Sequence, residues 1–204
     1  MIAIIDYGVG NLYSLSSSLK YLGIENAVTA DKNKIEDASG VILPGVGAFA
    51  DAMAKLQNTG LAPVLENQAK SGKPLLGICL GMQMLFSKSF EYGEHKGLGF
   101  IPGIVAPLSA DLKRGAKVPH IGWNSLEFYK PSAIYKYING GEYVYFVHSY
   151  YAKGCESDVT AAAMYEGVKI TASVGKDNVF GVQYHPEKSG AAGLKILKAF
   201  CEIK

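Results

Sequence analysis

The chain has few cysteines, little net charge and no long apolar run. Three cysteines in 204 residues argue against a disulfide framework and for a reducing compartment such as the cytoplasm. Lysine plus arginine (20) nearly balance aspartate plus glutamate (18), so neither a nucleic acid nor a membrane surface is expected as a partner. No apolar run approaches the about 20 residues of a membrane-spanning helix. Residues 1–6 have the pattern of a buried strand and not of a signal peptide.

Metal and phosphate motifs are also missing. No grouping of cysteines and histidines has zinc-ligand spacing, and His95 and His120 receive no catalytic role. We therefore expect neither a metal nor another cofactor. With 49% hydrophobic residues, the chain is long enough for one sizeable core, which predicts a single domain over residues 1–204.

The order of apolar and amphipathic segments predicts an α/β fold. Strands are expected at 2–5, 24–29, 41–43 and 74–78, and helices at 11–22, 48–57, 61–71 and 80–88. This alternation indicates a mixed, mostly parallel open sheet with helices on both faces. Shorter β-like runs at 117–128, 142–149, 159–165, 169–174 and 178–183 predict antiparallel strands at one edge, before a last helix within 194–203. The sheet's carboxyl ends are where such folds place their sites.

The segment Gly77-Ile78-Cys79-Leu80-Gly81 follows an apolar strand and precedes a helical pattern. Flanking glycines permit the tight turn that pushes a nucleophile out of a sheet, and the N-terminus of the following helix favours a thiolate. The alternative is that Cys79 is a small buried hydrophobe, as expected for Cys155 and Cys201. The glycine frame favours the nucleophile.

A base for this cysteine is predicted in the segment 183–189, which contains His185-Pro186-Glu187. Residues two apart in an extended segment share a face, so Glu187 can hold one ring nitrogen of His185 while the other faces the sulfur. Alone, these residues would be read as an ordinary turn. Together with the Cys79 turn, they predict a catalytic triad.

A glycine-containing loop, Pro44-Gly45-Val46-Gly47, follows the strand expected at 41–43. Its backbone N–H groups could stabilise the oxyanion of an acyl transfer. Alternatively, its glycines serve only the packing of a strand-to-helix turn. A phosphate-binding loop is disfavoured because no lysine follows the second glycine.

These motifs, with several others, resemble those of the class I (triad-type) glutamine amidotransferases and, more narrowly, the glutaminase subunits of imidazole glycerol phosphate synthase. The resemblance covers nearly the whole chain and implies a three-layer, flavodoxin-like fold. The residues that carry it are 4–12 (Ile-Ile-Asp-Tyr-Gly-Val-Gly-Asn-Leu), 44–49, 77–83, 96–99, 120–124 (His-Ile-Gly-Trp-Asn), 147–150 (Val-His-Ser-Tyr) and 185–187.

The resemblance implies a role for each matching residue. Cys79 attacks the side-chain amide of L-glutamine, His185 carries the proton to ammonia, and Glu187 orients His185. The implied oxyanion hole consists of backbone N–H groups of Leu80 and of Val46 or Gly47, with a possible peptide flip at Gly45–Val46. The residues implied around the bound glutamine are Gly45, Gln83, Glu91, His148, Ser149 and Tyr150.

The resemblance also implies a heterodimeric partner, because nothing in this chain looks like a second substrate site. That partner would be a (β/α)8-barrel synthase subunit, which receives ammonia through a channel. It would yield imidazole glycerol phosphate and an aminoimidazole carboxamide ribonucleotide in histidine biosynthesis. The region around Trp123 is implied to lie near the subunit interface.

Three other functions are compatible with parts of the sequence. A paralogous amidotransferase could supply ammonia for another product, such as an amidinated surface sugar, and its motifs would look almost identical. A non-catalytic scaffold subunit is disfavoured because Cys79, His185 and Glu187 are all present. A cysteine peptidase is disfavoured because residues 44–49 and 147–150 match a glutamine pocket.

Overall fold

The computed structural model describes residues 1–204. Its strands are β1 (Ile2–Ile5), β2 (Asn26–Thr29), β3 (Gly40–Leu43), β4 (Leu75–Ile78), β5 (Phe86–Ser89), β6 (His95–Lys96), β7 (Ile101–Pro107), β8 (His120–Ser125), β9 (Glu127–Phe128), β10 (Tyr143–His148), β11 (Tyr150–Lys153), β12 (Val159–Tyr165), β13 (Val168–Lys176) and β14 (Val179–Val182). Its α-helices are α1 (Leu12–Tyr21), α2 (Lys32–Asp37), α3 (Phe49–Asn58), α4 (Ala62–Lys70), α5 (Leu80–Met84) and α6 (Gly190–Cys201). No helix is both long enough and apolar enough to cross a membrane.

The main sheet has eight strands in the order β2-β1-β3-β4-β14-β13-β12-β9. All pairs from β2 to β14 are parallel, and those from β14 to β9 are antiparallel. This confirms the predicted mixed, mostly parallel sheet with antiparallel strands at one edge. The order places the carboxyl ends of β3, β4 and β14 side by side, which is the edge where the site was expected.

Alternate residues of the central strands supply two separate cores. Ala3 and Ile5 of β1 pack on one face with side chains of α3 and α4, whereas Ile2 and Ile4 pack on the other with α1 and α6. Strands covered on both faces read as continuous apolar runs, and every residue of β1, β3, β4 and β14 is buried. The prediction of helices on both faces is confirmed.

Helix α1 ends as its sequence predicts. Leu15 and Leu19 are its buried residues, and Gly23 follows with a φ of +72°. The Gly23 N–H donates to the Lys20 carbonyl at 2.9 Å, and the Ile24 N–H donates to the Leu19 carbonyl at 2.9 Å. This pair of bonds is a Schellman motif, which satisfies carbonyls that the helix end leaves free.

The helix expected at 80–88 was predicted too long. It ends at Met84, and Phe86–Ser89 forms β5, which pairs with β6 and β7. A Cβ at Gly97 would lie 2.2 Å from the carbonyl oxygen of Phe86. The absence of a side chain at Gly97 therefore lets its backbone pack directly against that of Phe86. Tertiary pairing has overridden the local helical pattern, and the dipole behind Cys79 is that of a five-residue helix.

The second half is divided among sheets in a way that the sequence did not predict. The run expected at 117–128 splits at the buried Leu126, so that β8 pairs with β10 in a separate two-stranded sheet and β9 joins the main sheet. A third sheet, β11-β7-β5-β6, was not expected, nor was α2. The last helix begins at Gly190 and ends at Cys201, earlier than the predicted 194–203.

Candidate active site

Cys79 lies at a sharp turn between β4 and α5, as the flanking glycines predicted. Its φ of 55° and ψ of −112° are a conformation that side chains rarely adopt, and such strain clusters at functional sites. A Cβ at Gly81 would lie 1.9 Å from the Leu43 carbonyl oxygen, and a Cβ at Gly77 would lie 2.7 Å from the Gly81 oxygen. Only glycine fits at either position, so both glycines are needed for the turn that holds Cys79.

His185 and Glu187 form the predicted ion pair, but through a 3-10 turn at Pro186–Lys188 and not through the extended segment that was expected. His185 Nδ1 lies 2.8 Å from Glu187 Oε1, and both side chains are only 3% exposed. Burial lowers the pKa of His185, but hydrogen bonding with Cys79 and with Glu187 outweighs it and raises the pKa to about 10. His185 is therefore a cation at neutral pH, and it is hydrogen-bonded to Cys79.

The backbone around His185 is held by a buried serine. Ser189 Oγ donates to the His185 carbonyl at 2.6 Å and accepts from the Tyr145 N–H at 2.9 Å. The His185 N–H donates to the Tyr145 carbonyl at 2.9 Å. These bonds attach the segment after β14 to β10, which places the imidazole beside the Cys79 turn.

A cavity of about 360 Å³ opens in front of the sulfur. It is lined by ten of the residues that the sequence singled out, namely Val46, Gly47, Cys79, Leu80, Gln83, Glu91, His148, Ser149, Tyr150 and His185. Gly45 and Glu187 lie behind this wall and line a smaller cleft with Asn11 and Pro44. Pro119, Val147 and Lys188 also line the cavity, although no role was predicted for them.

The glycine loop packs tightly against the Cys79 turn. A Cβ at Gly45 would lie 2.7 Å from the Gly81 nitrogen, whereas Gly47 has open space and a φ of +92°. The Tyr7 hydroxyl donates to the Pro44 carbonyl at 2.8 Å. The loop is thus fixed at Pro44 and Gly45 and lies free at Val46 and Gly47, which are both exposed.

Glu91 serves the fold as well as the cavity. Its Oε2 accepts a hydrogen bond of 2.6 Å from the Phe49 N–H in the first turn of α3. A carboxylate at a helix N-terminus is favourable. Its other oxygen makes no hydrogen bond within the protein, and the residue lines the cavity, where a ligand can reach it.

Gln83 is buried, and both of its amide hydrogens are used within the protein. Its Nε2 donates to the Tyr150 carbonyl at 3.1 Å and to Gln183 Oε1 at 2.9 Å. Gln183 in turn donates to Cys79 Sγ at 3.7 Å. No role was predicted for Gln183, because its place beside the sulfur follows from the pairing of β14 with β4, a long-range register.

His148 and His120 form a neutral pair at the far wall. His148 Nδ1 donates to the Tyr150 carbonyl at 2.9 Å, so His148 Nε2 must accept from His120 Nδ1, also at 2.9 Å. Burial lowers the pKa of His148 to about 3 and that of His120 to about 4. His120 is also stacked between Phe146 and Tyr165, with ring centroids 4.6 Å and 4.1 Å away.

The other two cysteines are remote from this chemistry. Burial raises the pKa of Cys155 to about 11 and that of Cys201 to about 12, which is the behaviour of inert thiols. No group of three or more histidine, cysteine, aspartate or glutamate side chains is arranged to hold a metal ion.

A thiol beside an imidazole–carboxylate pair and a cavity is the arrangement that nucleophilic cysteine catalysis requires. A family model described as glutamine amidotransferase class-I matches residues 3–203. The chain therefore belongs to the class-I glutamine amidotransferases.

Relatives narrow this assignment to the imidazole glycerol phosphate synthase subunit HisH. The chain is 51% identical over 203 residues to that subunit from Caldanaerobacter subterraneus subsp. tengcongensis, covering 100% of this chain and 98% of the relative. For the same subunit from Moorella thermoacetica, the identity is 51% over 202 residues, with coverages of 99% and 94%. The chain belongs to the HisH subunits, which confirms the predicted family and its glutamine amidotransferase activity.

Solved structures support the fold independently. A structure titled glutamine amidotransferase has a TM-score of 0.74 at 18% identity, covering 98% of this chain and 99% of the other. The structure of PurLQS from Thermotoga maritima has a TM-score of 0.76 at 20% identity, with coverages of 98% and 96%. At these identities the likeness concerns the fold alone.

Proposed function

We propose that the chain hydrolyses L-glutamine with a Cys79–His185–Glu187 triad and passes the ammonia to another subunit of an imidazole glycerol phosphate synthase. The observation that carries this proposal is the strained turn of Cys79 beside an imidazole whose Nδ1 is held by Glu187. With Nδ1 engaged, His185 has Nε2 left for the sulfur. Glu187 orients the ring and stabilises its cationic form.

The proposed reaction has two steps. The Cys79 thiolate attacks the carbonyl carbon of the glutamine side-chain amide, and the protonated His185 gives its proton to the departing ammonia. A thioester of the γ-carboxyl group with Cys79 remains. Neutral His185 then removes a proton from water as the water attacks the thioester, and the products are glutamate and the regenerated thiolate.

The proposed oxyanion hole combines the Leu80 N–H with an N–H of Val46 or Gly47. Losing one such donor costs about 100- to 1000-fold in turnover. Since Tyr7 holds the Pro44 carbonyl while Val46 and Gly47 are exposed, we propose the Gly45–Val46 peptide as the element that rotates to complete the hole. A partner that favours the rotated state would activate hydrolysis.

The walls of the cavity suggest how glutamine is oriented. The free oxygen of Glu91 suits the α-amino group, and the segment His148, Ser149 and Tyr150 forms the opposite side. Gln83 holds this segment through the Tyr150 carbonyl, so we assign it to shaping the pocket, with its side-chain oxygen as the only group left for the substrate.

The ammonia acceptor is proposed to bind to a separate barrel-type synthase subunit. The relatives are named as subunits of a synthase. In this chain the cavity beside the triad sulfur is assigned to glutamine, so the ammonia acceptor needs a site on another subunit. We propose that the pair forms a heterodimer that makes imidazole glycerol phosphate and the aminoimidazole carboxamide ribonucleotide.

The test is glutamate release from glutamine by the purified chain, alone and with a barrel-type synthase subunit and its nucleotide ligand. We expect strong activation by the partner and no activity in Cys79→Ala. The same exchange at the remote Cys155 should leave the activity unchanged. Activity that survives in Cys79→Ala would refute the triad, and a partner without effect would refute the proposed assembly.

A further inference from the structure

Gln183 lies against the nucleophile but outside the cavity. It is completely buried and does not line the cavity, so a bound substrate would not touch it. Its Nε2 is 3.7 Å from Cys79 Sγ, and its Oε1 accepts from Gln83 Nε2 at 2.9 Å. A buried amide is costly unless it is hydrogen-bonded, and here the partner of its nitrogen is the sulfur.

The orientation of the Gln183 amide follows from a backbone carbonyl. The Tyr150 carbonyl can only accept, so the Gln83 group 3.1 Å away must be its NH2. The same NH2 lies 2.9 Å from the Gln183 amide, which must therefore present its oxygen to Gln83. The nitrogen of Gln183 is then the atom that faces Cys79.

We propose that Gln183 is a permanent hydrogen-bond donor to the Cys79 sulfur, which positions the sulfur and stabilises its thiolate form throughout the reaction. This rests on the proposed role of Cys79 as the nucleophile. His185 can donate to the sulfur only while it carries its proton, and it gives that proton to ammonia. An amide N–H does not titrate, so it remains a donor when His185 is neutral and again when the thioester releases the thiolate.

The hydrogen-bond chain behind Gln183 is itself neutral. The Tyr150 carbonyl that orients Gln83 also accepts from His148 Nδ1, and His148 accepts from His120. Because burial lowers the pKa of His148 to about 3, this chain keeps one proton arrangement across the neutral range. No group of this chain that titrates near neutral pH is therefore expected to disturb the donor at the sulfur.

The test measures the ionisation of the sulfur without turnover. In Gln183→Met, a side chain of similar size without a donor, the midpoint of the pH dependence of iodoacetamide alkylation should rise by about one pH unit, as expected from loss of a hydrogen bond to a charged group. The alkylation rate at pH 7 should fall by up to about tenfold as the thiolate fraction falls. For glutamine hydrolysis, kcat should fall while KM stays within about twofold, because Gln183 does not line the cavity.

Gln68→Met is the matched control. Gln68 is another buried glutamine, on α4, and its Oε1 has no partner. This exchange removes a buried amide elsewhere and should leave the alkylation midpoint unchanged. If Gln183→Met also leaves it unchanged, Gln183 is a packing residue and the proposal is overturned.

A measurement on the unmutated Gln183 covers the case in which Gln183→Met does not fold. With 15N-labelled glutamine residues, the side-chain amide resonances of Gln183 should shift with pH in step with alkylation, and the shift should vanish in Cys79→Ala. If the Gln183 amide resonances do not shift when the sulfur ionises, the donor role is refuted. Neither measurement needs glutamine turnover, so a chain without glutaminase activity can still pass both tests.

Discussion

Gly81 packs against the carbonyl group of Leu43 so closely that a Cβ at Gly81 would lie 1.9 Å from the oxygen. This contact joins the turn after β4 to the end of β3, where the glycine loop begins. The start of the proposed oxyanion loop, at Pro44 and Gly45, is therefore held against the Cys79 turn. The sequence places Gly81 in the turn, but only the fold shows which atom excludes a side chain there.

Replacing Gly81 by alanine should destabilise the protein and impair its activity. An added methyl group must displace backbone, and overpacking of this kind costs about 1–3 kcal/mol. We expect the free energy of unfolding in urea to fall by at least that amount. Gly140→Ala is the control, since its nearest neighbour would be 3.8 Å away. Equal stabilities of the two variants would contradict the close contact.

Replacing Glu187 by glutamine should lower kcat by about 100-fold, within the range that general acid–base catalysis contributes. The exchange keeps the size of the side chain but removes the charge, so the pKa of His185 should fall and the activity profile should move with it. The pH dependence of kcat would show this. Glu202→Gln, which removes the exposed partner of Lys136, should change neither quantity. A kcat within threefold of the original would argue against the triad.

The two roles of Glu91 can be separated by two substitutions. Glu91→Gln keeps an acceptor for the Phe49 N–H but removes the charge, so the stability should change by less than about 0.5 kcal/mol while KM for glutamine rises at least tenfold. Glu91→Ala should raise KM similarly and also cost about 1 kcal/mol of stability through the lost cap of α3. Urea unfolding and steady-state kinetics measure the two effects. An unchanged KM in both variants would exclude contact with the substrate.

Protein stability should fall as the pH is lowered from 6.5 towards 5, because of His120 and His148. Their pKa values in the folded state are about 4 and about 3, so as the pH falls from 6.5 to 5 the unfolded chain comes to bind nearly two protons that the folded chain does not. His185, whose folded pKa is about 10, is protonated in the folded chain throughout, so it opposes this loss near pH 6.5 and adds no slope near pH 5, where the unfolded chain is protonated too. The slope should steepen as the pH falls and approach about 2.5 kcal/mol per pH unit near pH 5.

His120→Gln tests this origin directly. Glutamine can still donate to His148 but does not titrate, so the slope should fall to about half. Urea unfolding between pH 5 and pH 6.5 would measure it. A slope that stays the same in the variant would assign the acid sensitivity to other groups.

Local features of the sequence were sufficient for several parts of this protein. The continuous apolar runs predicted β1, β3 and β4, the leucine spacing and Gly23 predicted α1 and its end, and the glycines around Cys79 predicted the turn. The two-residue spacing of His185 and Glu187, read together with the Cys79 turn, predicted their pairing, although the segment is a 3-10 turn and not extended. Each of these features depends on residues that are close together in the chain. Over such short distances, side-chain periodicity and the backbone freedom of glycine determine the local structure.

The tertiary structure alone decided which distant segments meet. The pairing of β14 with β4 brings Gln183 to the sulfur, and the pairing of β8 with β10 brings His120 to His148. The end of α5 at Met84 was likewise decided by the pairing of β5 with β6 and β7. Strand order and register depend on packing and hydrogen bonds between residues far apart in the chain, and no local pattern contains that information.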